Sequence, residues 1–136
     1  MADDRPTYGT ILGRNISGAR GRLQLSQSAV AERMKKLGFD WHQQTAAAVE
    51  KGKRRVTTEE IFGLSVALET TMFALMAPPE DEHEVVGFPS GEIVWVQSVR
   101  QSVRGHSKVP VYWDGATPVF SALLPLKPDA EGSDPR

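Results

Sequence analysis

The chain has 136 residues, 40% hydrophobic and 24% charged, with a formal net charge of −1; this suits one ordinary globular domain with a core, or a compact domain plus a small appendage. It contains no cysteine, which excludes disulfides and thiolate-ligated zinc. No apolar run is long enough to cross a bilayer, and the opening MADDRPTYGT lacks the basic-then-apolar order of a secretory signal, so a cytoplasmic protein with no membrane partner is expected.

Charge is unevenly placed. Between Thr10 and Val56 ten Lys/Arg face three acids, whereas from Pro78 onward five basic residues face nine acids. A basic part joined to an acidic part suits a polyanion-binding domain coupled to a second module.

In chain order, the first 77 residues read as five helices with short connections. TILGRNISGARGRLQL places Ile11, Leu12, Ile16, Ala19 and Leu23 near helical spacing, with Gly13, Gly18 and Gly21 lowering its propensity. Ser26 is placed to cap the next helix, where Val30, Met34 and Leu37 recur at i, i+4 and i+7, and Gly38 to end it in a left-handed conformation. Asp40 suits the N-cap of a third helix, expected over about residues 41–51, with Gln43 at capping-box spacing and Gly52 as the stop. Thr57 and Glu60 make a second capping box, opening a helix with Ile61, Leu64 and Leu68 on one face. Thr70 or Thr71 caps a last short helix, MFALMA.

Pro78, Pro79 and the acidic run after them have no apolar face, so residues 78–84 read as a linker between a helical domain over 1–77 and a small β-containing (α+β) module over 85–126. EVVGF and VPVYW are β-branched and aromatic runs. EIVWVQSVRQSVRG reads as a short strand giving way to a helix near Trp95, with Trp95, Val99 and Val103 at helical spacing. Asp114-Gly115 is a hairpin signal before ATPVFSAL, and Pro118 places that last strand at an edge. Phe88, Trp95, Tyr112, Trp113 and Phe120 are expected to bury against one another, the helical domain or a second copy. Residues 127–136 read as a disordered tail.

A Ser-Gln opening the second helix, a glutamine-bearing third helix followed by Glu-x-Gly, and a fourth helix TTEEIFGLSVAL form a recognisable order. Over about residues 8–77 the chain resembles the lambda-repressor-like helix-turn-helix family of phage repressors and Cro proteins, with their bacterial XRE relatives; the resemblance rests on R…LSQ…VAERM, QQTAAAVEKGKRR and TTEEIFGLSVAL. It implies a mainly α, five-helix domain whose third helix enters the major groove of double-stranded DNA. Gln43 and Gln44 match the family's base-reading positions, and a glutamine amide carries the donor and acceptor that pair with adenine N6 and N7. Thr45 and Ala48 follow on the groove-facing side, with Ala46 and Val49 toward the core. Ser26 and Gln27 match the phosphate-holding start of helix 2, and His42, Lys51, Lys53, Arg54 and Arg55 are the further phosphate contacts. Arg20 and Glu50 match a buried ion pair that orients the recognition helix. One departure stands out: AERMKKLGFDWHQQ is several residues longer than the compact family turn, implying a longer second helix and a corner carrying Phe39, Trp41 and His42.

Several of these residues have plainer roles too. Gln43 is also the capping partner of Asp40, Trp41 a corner filler, and Arg33, Lys35 and Lys36 a solvated face. His42, His83 and His106 lack ligand spacing, so no metal is expected. No nucleophile–base set or phosphate loop is present, so neither an enzyme nor a cofactor is expected. The expected function is a sequence-specific, repressor-like transcriptional regulator acting as a homodimer. The alternative is an antitoxin or adaptor that binds a protein partner through the C-terminal module; a third reading makes that module a pocket for a small-molecule effector.

Overall fold

The structure, a computed structural model, describes residues 6–78, 85–105, 112–114 and 117–119, with backbone alone at Val85 and in the last two segments. It is mainly α: a five-helix helix-turn-helix domain followed by a small β-containing module. The elements are α1 (Tyr8–Arg22), α2 (Gln27–Lys36), α3 (Gln43–Glu50), α4 (Thr58–Ala67), α5 (Met72–Met76), β1 (Val85–Gly87), β2 (Ile93–Trp95), α6 (Val96–Val103), β3 (Tyr112–Asp114) and β4 (Thr117–Val119). Among the described residues no helix is long and apolar enough to cross a membrane.

The described residues fall into two compact units, Gly9–Met76 and the flanking segments on either side of it. Thr7 bridges Gly87 in parallel, and the Pro6 carbonyl accepts the Gly87 N–H at 2.8 Å, so these residues add to the open edge of β1.

The helical unit is built on helix ends that close themselves. Ser26 Oγ accepts the Ala29 N–H at 3.0 Å to start α2. Thr57 Oγ1 accepts from Glu60 N while a Glu60 carboxylate oxygen accepts from Thr57 N, the capping box that the sequence implies. Thr71, rather than Thr70, starts α5 by accepting from Ala74 N. At the other ends, α1 to α4 each finish with paired backbone bonds of the Schellman type, such as Phe39 N to Met34 O with Gly38 N to Lys35 O. Gly38 (φ +103°) and Gly52 (φ +74°) turn the chain after α2 and α3, while Gln24 and Glu69 take the same left-handed conformation without being glycine.

Ile16, Val30, Met34, Trp41, Ala46, Val49, Leu64, Leu68 and Leu75 form the centre of this unit, each at most 2% exposed. Burial of each large apolar side chain contributes about 1.5–3 kcal/mol. Leu37 departs from expectation: it is the C-cap of α2, is 45% exposed, and lies on an apolar surface with Phe62 and Val66. The backbone turns at Leu37 and Gly38, which takes the side chain off the inward stripe, and Phe39 packs against the core instead.

In the second unit β1 and β2 pair antiparallel with Val86 opposite Val94. The chain then passes from Trp95 into α6, as the sequence suggests. The inner face of α6 is not the expected one: Val96, Ser98 and Arg100 are buried, whereas Val99 and Val103 are only partly so. Arg100 bonds to Gln97 at 2.9 Å and to the carbonyl of Pro78 at 3.4 Å, so Pro78, expected to open the linker, is buried here. Phe88, at the β1–β2 turn, is 43% exposed. Strands β3 and β4 pair with Trp113 opposite Pro118, and in this two-stranded sheet Pro118 does lie at an edge. Gly115, Phe120, residues 79–84 and the 127–136 tail lie outside the described residues, as do the side chains of Tyr112 and Trp113.

Candidate nucleic-acid interface

The third helix begins later than expected and with a different cap. Its N-cap is His42, whose N–H donates to Thr45 Oγ1 at 3.1 Å. Asp40 lies outside the helix, with its carboxylate 3.2 Å from His42 Nε2 and its side chain 94% exposed. The reason is Trp41. Its ring is fully buried and its backbone N–H is held by the Phe39 carbonyl, and His42 after it is extended, so the helix begins only at residue 43. The extra length of the corner is taken up by residues 37–42, which anchor this ring.

The eight residues of α3 divide into three faces. Ala46 and Val49 are buried in the core. Gln43, Ala47 and Glu50 stand at i, i+4 and i+7, a single stripe on a helix, and this stripe meets the start of α2. Gln44, Ala48 and Lys51 form a second such stripe facing outward, with Gln44 and Lys51 exposed and Ala48 half-buried. Thr45 is also half-buried, its hydroxyl engaged in the cap.

At the α2 contact the side chains form a relay. Arg20 Nε and Nη2 donate to the two carboxylate oxygens of Glu50 at 2.6 and 2.9 Å, and Arg20 Nη1 also holds the Leu25 carbonyl. The Glu50 bond raises the Arg20 pKa above its already high ordinary value, so this guanidinium is permanently charged. Glu50 is only 8% exposed and receives a third bond, from Gln27 Nε2 at 3.1 Å. Gln27 Oε1 in turn accepts from Gln43 Nε2 at 2.8 Å. A carboxylate can only accept, so Gln27 must turn its NH2 to Glu50 and its carbonyl to Gln43, which must then donate. One donor and one acceptor of the Gln43 amide remain to face outward. Gln27, expected as a phosphate holder, thus has internal partners on both sides of its amide.

Gly13 brings α1 close to this same end of α3. A Cβ at that position would stand 2.5 Å from the Glu50 carbonyl oxygen and 2.6 Å from that of Val49, so only glycine permits this approach.

The cations divide in two. Lys51, Lys53 and Arg55 are exposed beyond the end of α3. Arg54 differs from its neighbours: Nη1 and Nη2 bond to Glu60 Oε1 and Oε2, both at 3.1 Å, and its guanidinium carbon lies 5.5 Å from the centre of the Trp41 ring. Trp41 Nε1 donates to the same carboxylate at 2.9 Å. Burial alone pushes the Glu60 carboxyl up, but bonds from Arg54, the Thr57 N–H and Trp41, with the Arg54 charge, outweigh it and bring the pKa down to about 2. Arg33 has an internal role as well, holding the Ala67 carbonyl at 2.8 Å at the end of α4, with Glu69 3.2 Å away. The sequence marks Glu60 only as a capping residue; its second use depends on Trp41, 19 positions away, and on Arg54 in the basic run, a pairing that no local pattern signals.

Ser26 keeps its hydroxyl hydrogen after accepting from Ala29, and it stands exposed beside the first N–H groups of α2. Among the described residues no group of three His, Asp or Glu could hold a metal ion.

No protein-family model and no curated protein matches the chain. Among solved structures, the restriction-modification controller protein C.AhdI from Aeromonas hydrophila is similar with a TM-score of 0.44 and 24% identity, covering 49% of this chain and 90% of that one. The DNA-binding domain of BldD is similar at 0.45 and 25% identity, covering 56% of this chain and 99% of that one. A hypothetical transcription factor from Neisseria, NHTF, is similar at 0.48 and 20% identity, covering 58% of this chain and 88% of that one.

Proposed function

We propose that the chain is a sequence-specific, repressor-like DNA-binding regulator of transcription that acts as a homodimer in the cytoplasm and is not an enzyme. The observation that carries this reading is the outward stripe of α3, where Gln44, Ala48 and Lys51 stand in line beside the remaining polar atoms of Gln43. A helix carrying amides and methyls on its exposed face fits the major groove, where the amides pair with adenine and the methyls touch thymine. Ser26 at the start of α2, His42 at the start of α3, and Lys51, Lys53 and Arg55 behind it supply the phosphate contacts. Arg54 is left out of that set because Glu60 neutralises it. A homodimer is part of the proposal because one domain of this size covers little DNA, and two-fold pairing doubles its contacts.

The test is titration of the purified chain into a labelled random-sequence duplex over a range of salt. Binding at low salt should weaken with log[salt], with a slope of roughly −0.9 for each phosphate neutralised. If no binding is seen at low salt, the regulator reading falls and the protein-partner alternative replaces it.

A further inference from the structure

Eight residues make a short helix. Isolated helices of this length are marginal in water, so the pose of α3 depends on what holds its two ends. The downstream end is tied by Glu50 to Arg20. The chain entering α3 and the chain leaving it have a separate tie. Trp41, two residues before the helix, and Arg54, four residues after it, both terminate on the Glu60 carboxylate. That carboxylate also closes the cap of α4 through Thr57. One side chain on α4 therefore completes a loop from residue 41 to residue 54 around the whole of α3. Its side chain is 7% exposed, and Arg54 covers the Trp41 ring on the outer side.

We infer that Glu60 is a positioning residue: through Trp41 and Arg54 it fixes the pose in which α3 presents Gln43, Gln44 and Lys51. The inference rests on the DNA-binding reading for its consequence, though not for its geometry. Two features separate this role from capping. Glutamine serves as well as glutamate at the third position of a capping box, so Glu60→Gln keeps the cap of α4. It nevertheless turns a neutral amide toward Arg54 and Trp41, which are all donors. Trp41→Phe keeps an aromatic ring in the core and removes the indole N–H, together with the packing of the second ring of a fully buried side chain.

The experiment measures amide hydrogen exchange of the full chain without DNA, helix by helix, in wild type, Glu60→Gln and Trp41→Phe, and duplex affinity in parallel. The loss of charge-assisted bonds should speed exchange across α3 by about tenfold in Glu60→Gln and by a smaller factor in Trp41→Phe, with α1 changed far less. Affinity for random duplex should fall in the same order. Equal acceleration in all helices would make Glu60 a general stabiliser and overturn the inference, as would unchanged exchange in α3. If Glu60→Gln fails to fold, Trp41→Phe decides by the same criterion. Absence of DNA binding by the wild type would remove the regulator reading, while the exchange result would still decide the role of Glu60.

Discussion

The amide of Gln43 donates to the carbonyl oxygen of Gln27 at 2.8 Å, and the direction of that bond is set one step away, where Gln27 Nε2 meets the buried carboxylate of Glu50. The charge of Arg20 fixes Glu50, Glu50 fixes Gln27, and Gln27 fixes the amide at the front of α3. On the proposed DNA-binding reading, Gln27 would thereby set the hydrogen-bond pattern that Gln43 offers to a base.

Gln27→Ala should therefore weaken DNA binding by about tenfold and blur the preference at the base facing Gln43, since that amide becomes free to rotate. Losing the two side-chain bonds of Gln27, to Glu50 and to Gln43, should lower stability by about 1–3 kcal/mol. Paired urea unfolding and duplex titration check this; a loss of stability with affinity unchanged would contradict the relay.

Arg54 and Arg55 are neighbours in sequence with different expected phenotypes. Arg55→Ala should reduce affinity for all duplex sequences alike and leave stability within about 0.5 kcal/mol. Arg54→Ala leaves the Glu60 carboxylate, 7% exposed, without its cation, and should destabilise the fold by roughly 2–4 kcal/mol, somewhat less than for a fully buried pair because Arg54 is 37% exposed. Chemical denaturation and binding of the two variants side by side test the division.

The starts of α2 and α4, the ends of α2 and α3 and the inward face of α4 were legible in the sequence because each depends on local chemistry: Ser26, Thr57, Gly38 and Gly52 act within a few residues of where they stand. The start of α3 was misread for the opposite reason. Asp40 has the better local capping chemistry, but Trp41 is buried and bonded to Glu60 on α4, which keeps the helix from starting before His42, a tertiary constraint absent from the local pattern. The same holds for Arg54, which looked like its basic neighbours until Glu60 was placed opposite it. Gly13 looked like a weak helix residue and proves to be a contact point between α1 and α3. In the second unit, spacing alone put Val99 and Val103 inward, while the turn into α6 at Trp95 put Ser98 and Arg100 there.

Acid should weaken the fold through Glu60. Its folded pKa of about 2 lies below the ordinary 4.5, so the unfolded chain binds the proton more tightly. The stabilisation is complete above about pH 5 and is lost as pH falls toward 2. Urea unfolding across this range should show the decline in wild type and a shallower one in Glu60→Gln. Equal slopes would contradict the assignment.

Gly13→Ala should destabilise the helical unit by about 1–3 kcal/mol, because the new methyl meets backbone rather than a movable side chain. Higher helix propensity for alanine offsets about 1 kcal/mol at most. A variant as stable as wild type in urea would show that α1 does not approach α3 as closely as described.

The central claim is that α3 reads DNA sequence, and selection of bound duplexes from a random pool tests it most directly. The wild type should enrich a motif containing adenine, arranged as two inverted half-sites, and Gln44→Ala should relax one position in each half-site by about 1–3 kcal/mol while leaving the others intact. A pool with no enriched motif, or a motif unchanged in Gln44→Ala, would contradict the account.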